Sequence, residues 1–117
     1  MKPAELIVVA IEPVRIGYFV VTTLEIDLNH VNYGLDPKTK KNRVYSRSNH
    51  TAEFIADLFG FLSIMVGLYP SAYENDFFYF SETIETNGKF FSITFCVDEK
   101  NPSTAGIITL YRVNPRK

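Results

Sequence analysis

The hydrophobic pattern of the first thirty residues predicts two β-strands joined by a turn. Residues 5–11 form a continuous apolar, β-branched run without polar alternation, which is typical of a strand buried on both faces. Residues 13–17 interrupt this run, and residues 18–28 form a second β-rich segment whose far end is more polar. Two adjacent runs of this kind predict a hairpin.

The most apolar part of the chain, residues 54–68, predicts a central helix. Its apolar residues recur at three- and four-residue steps, and its acidic and glycine positions share one narrow stripe. Residues 48–51 precede it with side chains that cap helix N-termini, and Tyr69-Pro70 ends it. A helix this apolar is expected to be buried on most sides or covered by a partner subunit.

Three β-rich segments follow the helix and predict a meander. Residues 77–86 and 89–97 flank Asn87-Gly88, and both turn residues accept the positive φ of a type I′ hairpin turn. Residues 106–113 form the last predicted strand. The pattern therefore predicts an α+β fold, in which an antiparallel sheet (N-terminal hairpin plus C-terminal three-stranded meander) packs on one main apolar helix.

Composition supports a single α+β domain over residues 1–117. The chain is 46% hydrophobic and 15% aromatic, which is enough apolar surface for a core without disulfides or metal. Cys96 is the single cysteine, so a reducing compartment and a cytoplasmic location are expected. The apolar stretch at 54–68 carries Asp57 and two glycines, so we expect a core helix and no membrane contact.

The basic residues are unevenly distributed although the net charge is only −1. Five of the twelve lie within ten residues, and they are Lys38, Lys40, Lys41, Arg43 and Arg47. A local positive patch suits phosphate binding even when the total charge is near zero. The alternative interpretation is a solvated surface loop.

Residues 43–51 combine two arginines, hydroxyl groups and an imidazole at the predicted start of the helix. Histidine suits proton transfer at neutral pH, so His50 is a candidate acid or base, and Arg47 is a candidate phosphate ligand. The alternative is that these residues only cap the helix. One cysteine and two distant histidines predict no metal or cofactor.

The last strand offers a second set of candidate groups. Thr109 and Tyr111 share one face of a period-two strand, whereas Arg112 points to the other face. The two hydroxyls are suited to line a groove or to orient a ribose. Threonine and tyrosine are equally common as ordinary strand residues.

Residues 43–113 resemble the RelE, barnase and EndoU-type superfold of toxin ribonucleases. The resemblance rests on Arg47-Ser48-x-His50-Thr51 before the helix and on Ile-Ile-Thr-Leu-Tyr-Arg at residues 107–112. It implies a small metal-independent endoribonuclease of toxin type, which cleaves RNA by attack of the ribose 2′-hydroxyl. The mild acidity of the chain favours tRNA or free RNA over the ribosome.

The resemblance also implies roles for particular residues. The catalytic residues would be His50 as acid or base, with Arg47, Thr109 and Tyr111. The substrate-binding residues would be Arg43, Lys40, Lys41 and Arg112. This mechanism requires the imidazole and the hydroxyls of the last strand to meet in one positively lined cleft.

A protein-binding module is the alternative function. Residues 69–80 contain six aromatic side chains interspersed with Glu74 and Asp76, a mixture that suits a partner-binding surface. An immunity protein, an antitoxin or a phage-encoded inhibitor would act in this way. The expected partners are therefore RNA, a cognate antitoxin or immunity protein, or a second copy of the chain in a homodimer.

Overall fold

A computed structural model describes residues 6–33 and 49–113, which form an α+β fold with six strands and two helices. The strands are β1 (Leu6–Ile16), β2 (Phe19–Asp27), β3 (Ala72–Glu74), β4 (Phe77–Thr86), β5 (Lys89–Asp98) and β6 (Asn101–Val113). The helical segments are α1 (Leu28–Tyr33), α2 (Ala52–Gly60) and a 3-10 turn (Phe61–Ile64). Across these residues neither helix has the length and hydrophobicity that crossing a bilayer requires.

The six strands form one sheet in the order β1-β2-β6-β5-β4-β3. The N-terminal hairpin and the β4-β5-β6 meander are both present, as predicted, but β2 and β6 pair in parallel. The prediction of a purely antiparallel sheet was therefore wrong, because the sheet is mixed. Turn residues specify only the pairing of consecutive strands, whereas Thr23 pairs with Thr104, which lies far away along the chain.

The predicted central helix is shorter than its apolar pattern indicates. Helix α2 ends at Gly60, a 3-10 turn continues to Ile64, and Met65 is already extended. Ile64 and Val66 are exposed, so they do not continue a buried helical face. Another helix, α1, precedes α2 along the chain. It begins after Asp27, whose Oδ1 accepts a hydrogen bond of 3.1 Å from the His30 backbone N–H. The expectation of one main helix is therefore incomplete.

The two faces of the sheet differ in what they contact. The core face carries Phe80 and Phe95, which are register partners and stack at 5.0 Å, and Phe59 of α2 packs edge-on against Phe95. The alternate side chains of the same strands, such as Thr94 and Thr109, occupy the opposite face, which we call the far face. The helices and the buried core thus lie on one side of the sheet.

The hairpin of β1 and β2 bends over the core face. The register of β1 shifts between Ala10 and Val14, a bulge of the kind that increases local bending. Strands β2 and β4 are separated by two others, so a flat sheet would hold them about 14 Å apart. The rings of Phe19 and Phe78 nevertheless lie 5.4 Å apart. The tip of the hairpin therefore closes one end of the core against β4.

Candidate functional site

His50 lies directly before helix α2, in a position fixed by its backbone. The N-cap is Thr51, whose hydroxyl accepts a hydrogen bond of 3.1 Å from the Phe54 N–H, as expected from the capping residue types. The His50 N–H donates to Asn32 Oδ1 at 2.8 Å, and Asn32 Nδ2 donates to the His50 carbonyl at 3.0 Å. This reciprocal pair attaches α1 to the start of α2.

The imidazole of His50 is packed among aromatic rings on the core face. It stacks on Phe54 with centroids 5.1 Å apart and rings within 10° of parallel, and it meets the edge of Phe91 at 6.1 Å. Its Nε2 atom is buried. A general acid or base needs access to the substrate proton, and this packing restricts that access.

The hydroxyls of the last strand lie on the other side of the sheet. Thr109 is opposite Thr94 and Tyr111 is opposite Ser92, and all four positions belong to the far face. Because His50 contacts Phe91 on the core face, the sheet separates it from both hydroxyls. The common cleft that the sequence resemblance requires is not formed by these residues.

Of the five remaining candidate residues, Arg112 is within the part of the chain that the structure describes and the other four are not. Arg112 is the register partner of Phe91, so its position belongs to the core face, on the same side as His50. The other four candidates, Arg47, Arg43, Lys40 and Lys41, lie outside the described residues. Within residues 6–33 and 49–113, no group of three histidine, cysteine or acidic side chains is arranged to hold a metal ion.

A cavity of about 440 Å³ opens where the hairpin tip meets the segment after the 3-10 turn. Its lining is almost entirely apolar or aromatic and includes Ile16, Tyr18, Phe19, Leu68, Tyr69, Pro70, Phe78 and Phe80. We call this feature the aromatic groove. Gly17 and Gly67 adopt positive φ at its two walls, which lets both segments turn sharply there. Tyr18 is 99% exposed and Tyr69 is 78% exposed, so both rings stand in solvent at its mouth.

Tyr73 connects the aromatic groove to a group of carboxylates. Its ring lies 4.6 Å from that of Phe78, which lines the groove. Its hydroxyl donates to Glu99 Oε1 and lies 3.3 Å from Asp76 Oδ1. The hydrogen bond to Glu99, together with desolvation and the charges of both carboxylates, raises the pKa of Tyr73 to about 12. The phenol therefore stays protonated and donates its single proton to Glu99, beside Asp76.

The carboxylates belong to two adjacent turns. The Glu99 N–H donates to the Asp76 carbonyl at 2.9 Å, which joins the β5–β6 turn to the β3–β4 turn. We call Asp76 and Glu99, the two carboxylates that contact the Tyr73 hydroxyl, the acidic rim. Lys100 contacts it, with Nζ 3.2 Å from Asp76 Oδ2. Two carboxylates against one ammonium leave a net negative charge beside the aromatic groove.

Sequence reasoning identified only part of this surface. Residues 69–80 were predicted to present aromatic and acidic groups, and the structure places Tyr69, Phe78 and Asp76 in the groove and rim. The contribution of Tyr18 was missed. Its position directly after Gly17, in a two-residue hairpin turn, is the local signal that would have indicated an exposed aromatic tip.

Comparison with known proteins finds no matching family model, no similar curated protein and no similar solved structure.

Proposed function

We propose that this chain is a protein-binding module that recognises a basic partner through the aromatic groove and the acidic rim. Immunity proteins, antitoxins and phage-encoded inhibitors are modules of this kind. The observation that carries the proposal is the continuity from groove to rim: Phe78 lines the groove, Tyr73 packs on it, and the Tyr73 hydroxyl binds Glu99. Because the lone Cys96 suits a reducing compartment, we propose a cytoplasmic setting.

The physical chemistry of the surface supports protein recognition. Tyrosines are frequent hot-spot residues because they bury a large rigid ring and keep a polar hydroxyl. Tyr18 and Tyr69 are both highly exposed, so a partner would remove much apolar surface from water. A cavity of about 440 Å³ is large enough to accept an apolar side chain or two from that partner. The acidic rim would steer a basic surface towards the groove.

Replacing Tyr18 and Tyr69 together with alanine is the first test. The intact chain is used to capture proteins from a lysate of the organism that makes it, and the captured protein is then purified and titrated. We expect the double variant to weaken its binding by at least about 30-fold, which corresponds to about 2 kcal/mol for a hot-spot pair. Tyr111→Ala is the matched control, because Tyr111 is 43% exposed on the far face.

The acidic rim is tested by charge reversal. Glu99→Lys should slow association and reduce its dependence on salt, whereas Glu85→Lys, an exposed position on β4 away from the rim, should change neither. If the affinity for the partner falls equally with Tyr111→Ala, the binding surface is not the groove and rim. The same conclusion follows if the groove and rim variants leave the affinity unchanged.

The toxin-type ribonuclease takes second place because His50 does not meet Thr109 and Tyr111. A direct assay decides between the two functions. The purified chain is incubated with tRNA and messenger RNA in EDTA, and the products are examined for 2′,3′-cyclic phosphate ends. We expect the RNA to stay intact with both the wild type and His50→Ala. Cleavage by the wild type that His50→Ala abolishes would restore the ribonuclease.

A further inference from the structure

Strand β1 has the composition of an internal strand but lies at the edge of the sheet. Its first half is a continuous apolar run, the pattern of a strand covered on both faces and paired on both sides. Among the strands of residues 6–33 and 49–113, it pairs with β2 alone. Leu6 is 63% exposed and Val8 is 61% exposed, while Ile7 and Val9 on the other face are only partly buried. The sequence and the position of β1 therefore disagree.

The unprotected part of this edge is confined to residues 6–10. Edge strands usually resist further pairing through charged side chains, prolines or bulges. Strand β1 has all three, with Glu12, Pro13 and the register shift that ends at Val14, but only in its second half. Residues 6–10 contain neither a charge nor a proline. Their outer backbone groups form a template for another strand.

We propose that residues 6–10 of β1 pair antiparallel with the same residues of a second copy of this chain. An antiparallel pair of identical strands has two-fold symmetry, so a single surface satisfies both partners. With Val8 at the centre, Leu6 meets Ala10, Ile7 meets Val9 and Val8 meets its own counterpart. Every cross-strand pair is then apolar, which makes the segment complementary to itself.

The chemistry of the edge favours a second copy over the basic partner of the acidic rim. A five-residue segment without charge offers nothing to a cationic surface, whereas it matches an identical apolar strand along its whole length. The pairing would join two six-stranded sheets into one continuous sheet. Val8 and Tyr18 lie near opposite ends of β1, so the dimer leaves the aromatic groove open, and this inference does not depend on the proposed function.

The mass of the intact chain in solution tests the dimer. The contact is small, so dimerisation should depend on protein concentration. Sedimentation equilibrium should give twice the chain mass of 13.4 kDa at high concentration. Val8→Lys and Val8→Glu should each give the single mass, because like charges would meet at the two-fold axis. An equimolar mixture of these two variants should recover the double mass.

The control is Val20→Lys, which adds the same charge at an exposed valine of the neighbouring strand, away from the edge. This variant should keep the double mass. Hydrogen exchange of the wild type provides a measurement without substitutions, since amides in residues 6–10 should exchange more slowly as concentration rises. A wild type that keeps the single mass would overturn the proposal. So would a dimer that survives both Val8 variants or is lost equally with Val20→Lys.

Discussion

At the scale of single residues, Glu82 is a carboxylate placed among core-face positions of β4. It is opposite Ile93 and lies between Phe80 and Ile84 along that face. Burial disfavours its charged form and raises its pKa. A raised pKa in the folded state means that the folded protein binds the proton more tightly than the unfolded chain. The contribution of Glu82 to the free energy of unfolding is therefore most favourable below the pKa of the unfolded chain. It decreases as the pH rises through the pKa of the folded protein.

We expect Glu82→Gln to raise the free energy of unfolding at neutral pH, because the variant folds without burying a charge. The difference from the wild type should vanish in acid, where Glu82 is protonated in both states. Urea unfolding across this pH range provides the measurement. Glu85→Gln removes the same charge from an exposed position of β4 and should be neutral. A Glu82→Gln variant that is less stable at neutral pH would contradict this account.

The start of helix α2 shows which local features residue types predict and which they do not. Hydroxyl and amide side chains at residues 48–51 predicted a helix start, and Thr51 fills that role. The environment of His50 depends on Phe91 and Asn32, which are distant along the chain. A residue type indicates what chemistry a side chain can perform, but tertiary packing decides whether that side chain reaches a substrate.

At the scale of elements, local turn chemistry predicted the β4–β5 hairpin well, whereas β1 continues to Ile16 and β6 begins at Asn101 instead of the predicted residue 106. Asn87 and Gly88 adopt φ of 54° and 77°, and Thr86 pairs with Lys89 as the two-residue turn requires. The parallel pairing of β2 with β6 has no local signal, because its register partners, such as Thr23 and Thr104, are far apart along the chain. The apolar pattern also overestimated α2, since an apolar run does not distinguish a helix from an exposed extended segment.

The end of α2 supports a paired prediction. Phe59 is fully buried and packs on Phe95, whereas Phe61, just past the end of the helix, is 41% exposed. Phe59→Ala should lower the free energy of unfolding by about 3–5 kcal/mol, because it removes a buried ring and leaves a cavity. Phe61→Ala should cost less than about 1 kcal/mol. Similar losses for both variants in denaturant unfolding would show that the helical face is wrongly assigned.

At the scale of the whole molecule, the structure separates three surfaces. The aromatic groove and acidic rim lie where the hairpin tip meets β4 and its turns. The apolar edge is at residues 6–10 of β1, and the far face carries Thr109 and Tyr111. Composition predicted the aromatic and acidic character, but only the curvature of the sheet brings Tyr18 and Phe19 to Phe78. Long-range folding therefore creates the surface on which the proposed function depends.

Hydrogen exchange of the intact chain, with and without its captured partner, tests the central claim most directly. Backbone amides covered by a partner exchange more slowly, and peptide-level data locate the protected segments. We predict that binding protects the segments 16–19 and 67–78, which contain most of the groove lining and Asp76 of the rim. Residues 104–111 of β6 should be unchanged. Protection confined to residues 104–111, with none at the groove, would contradict the account.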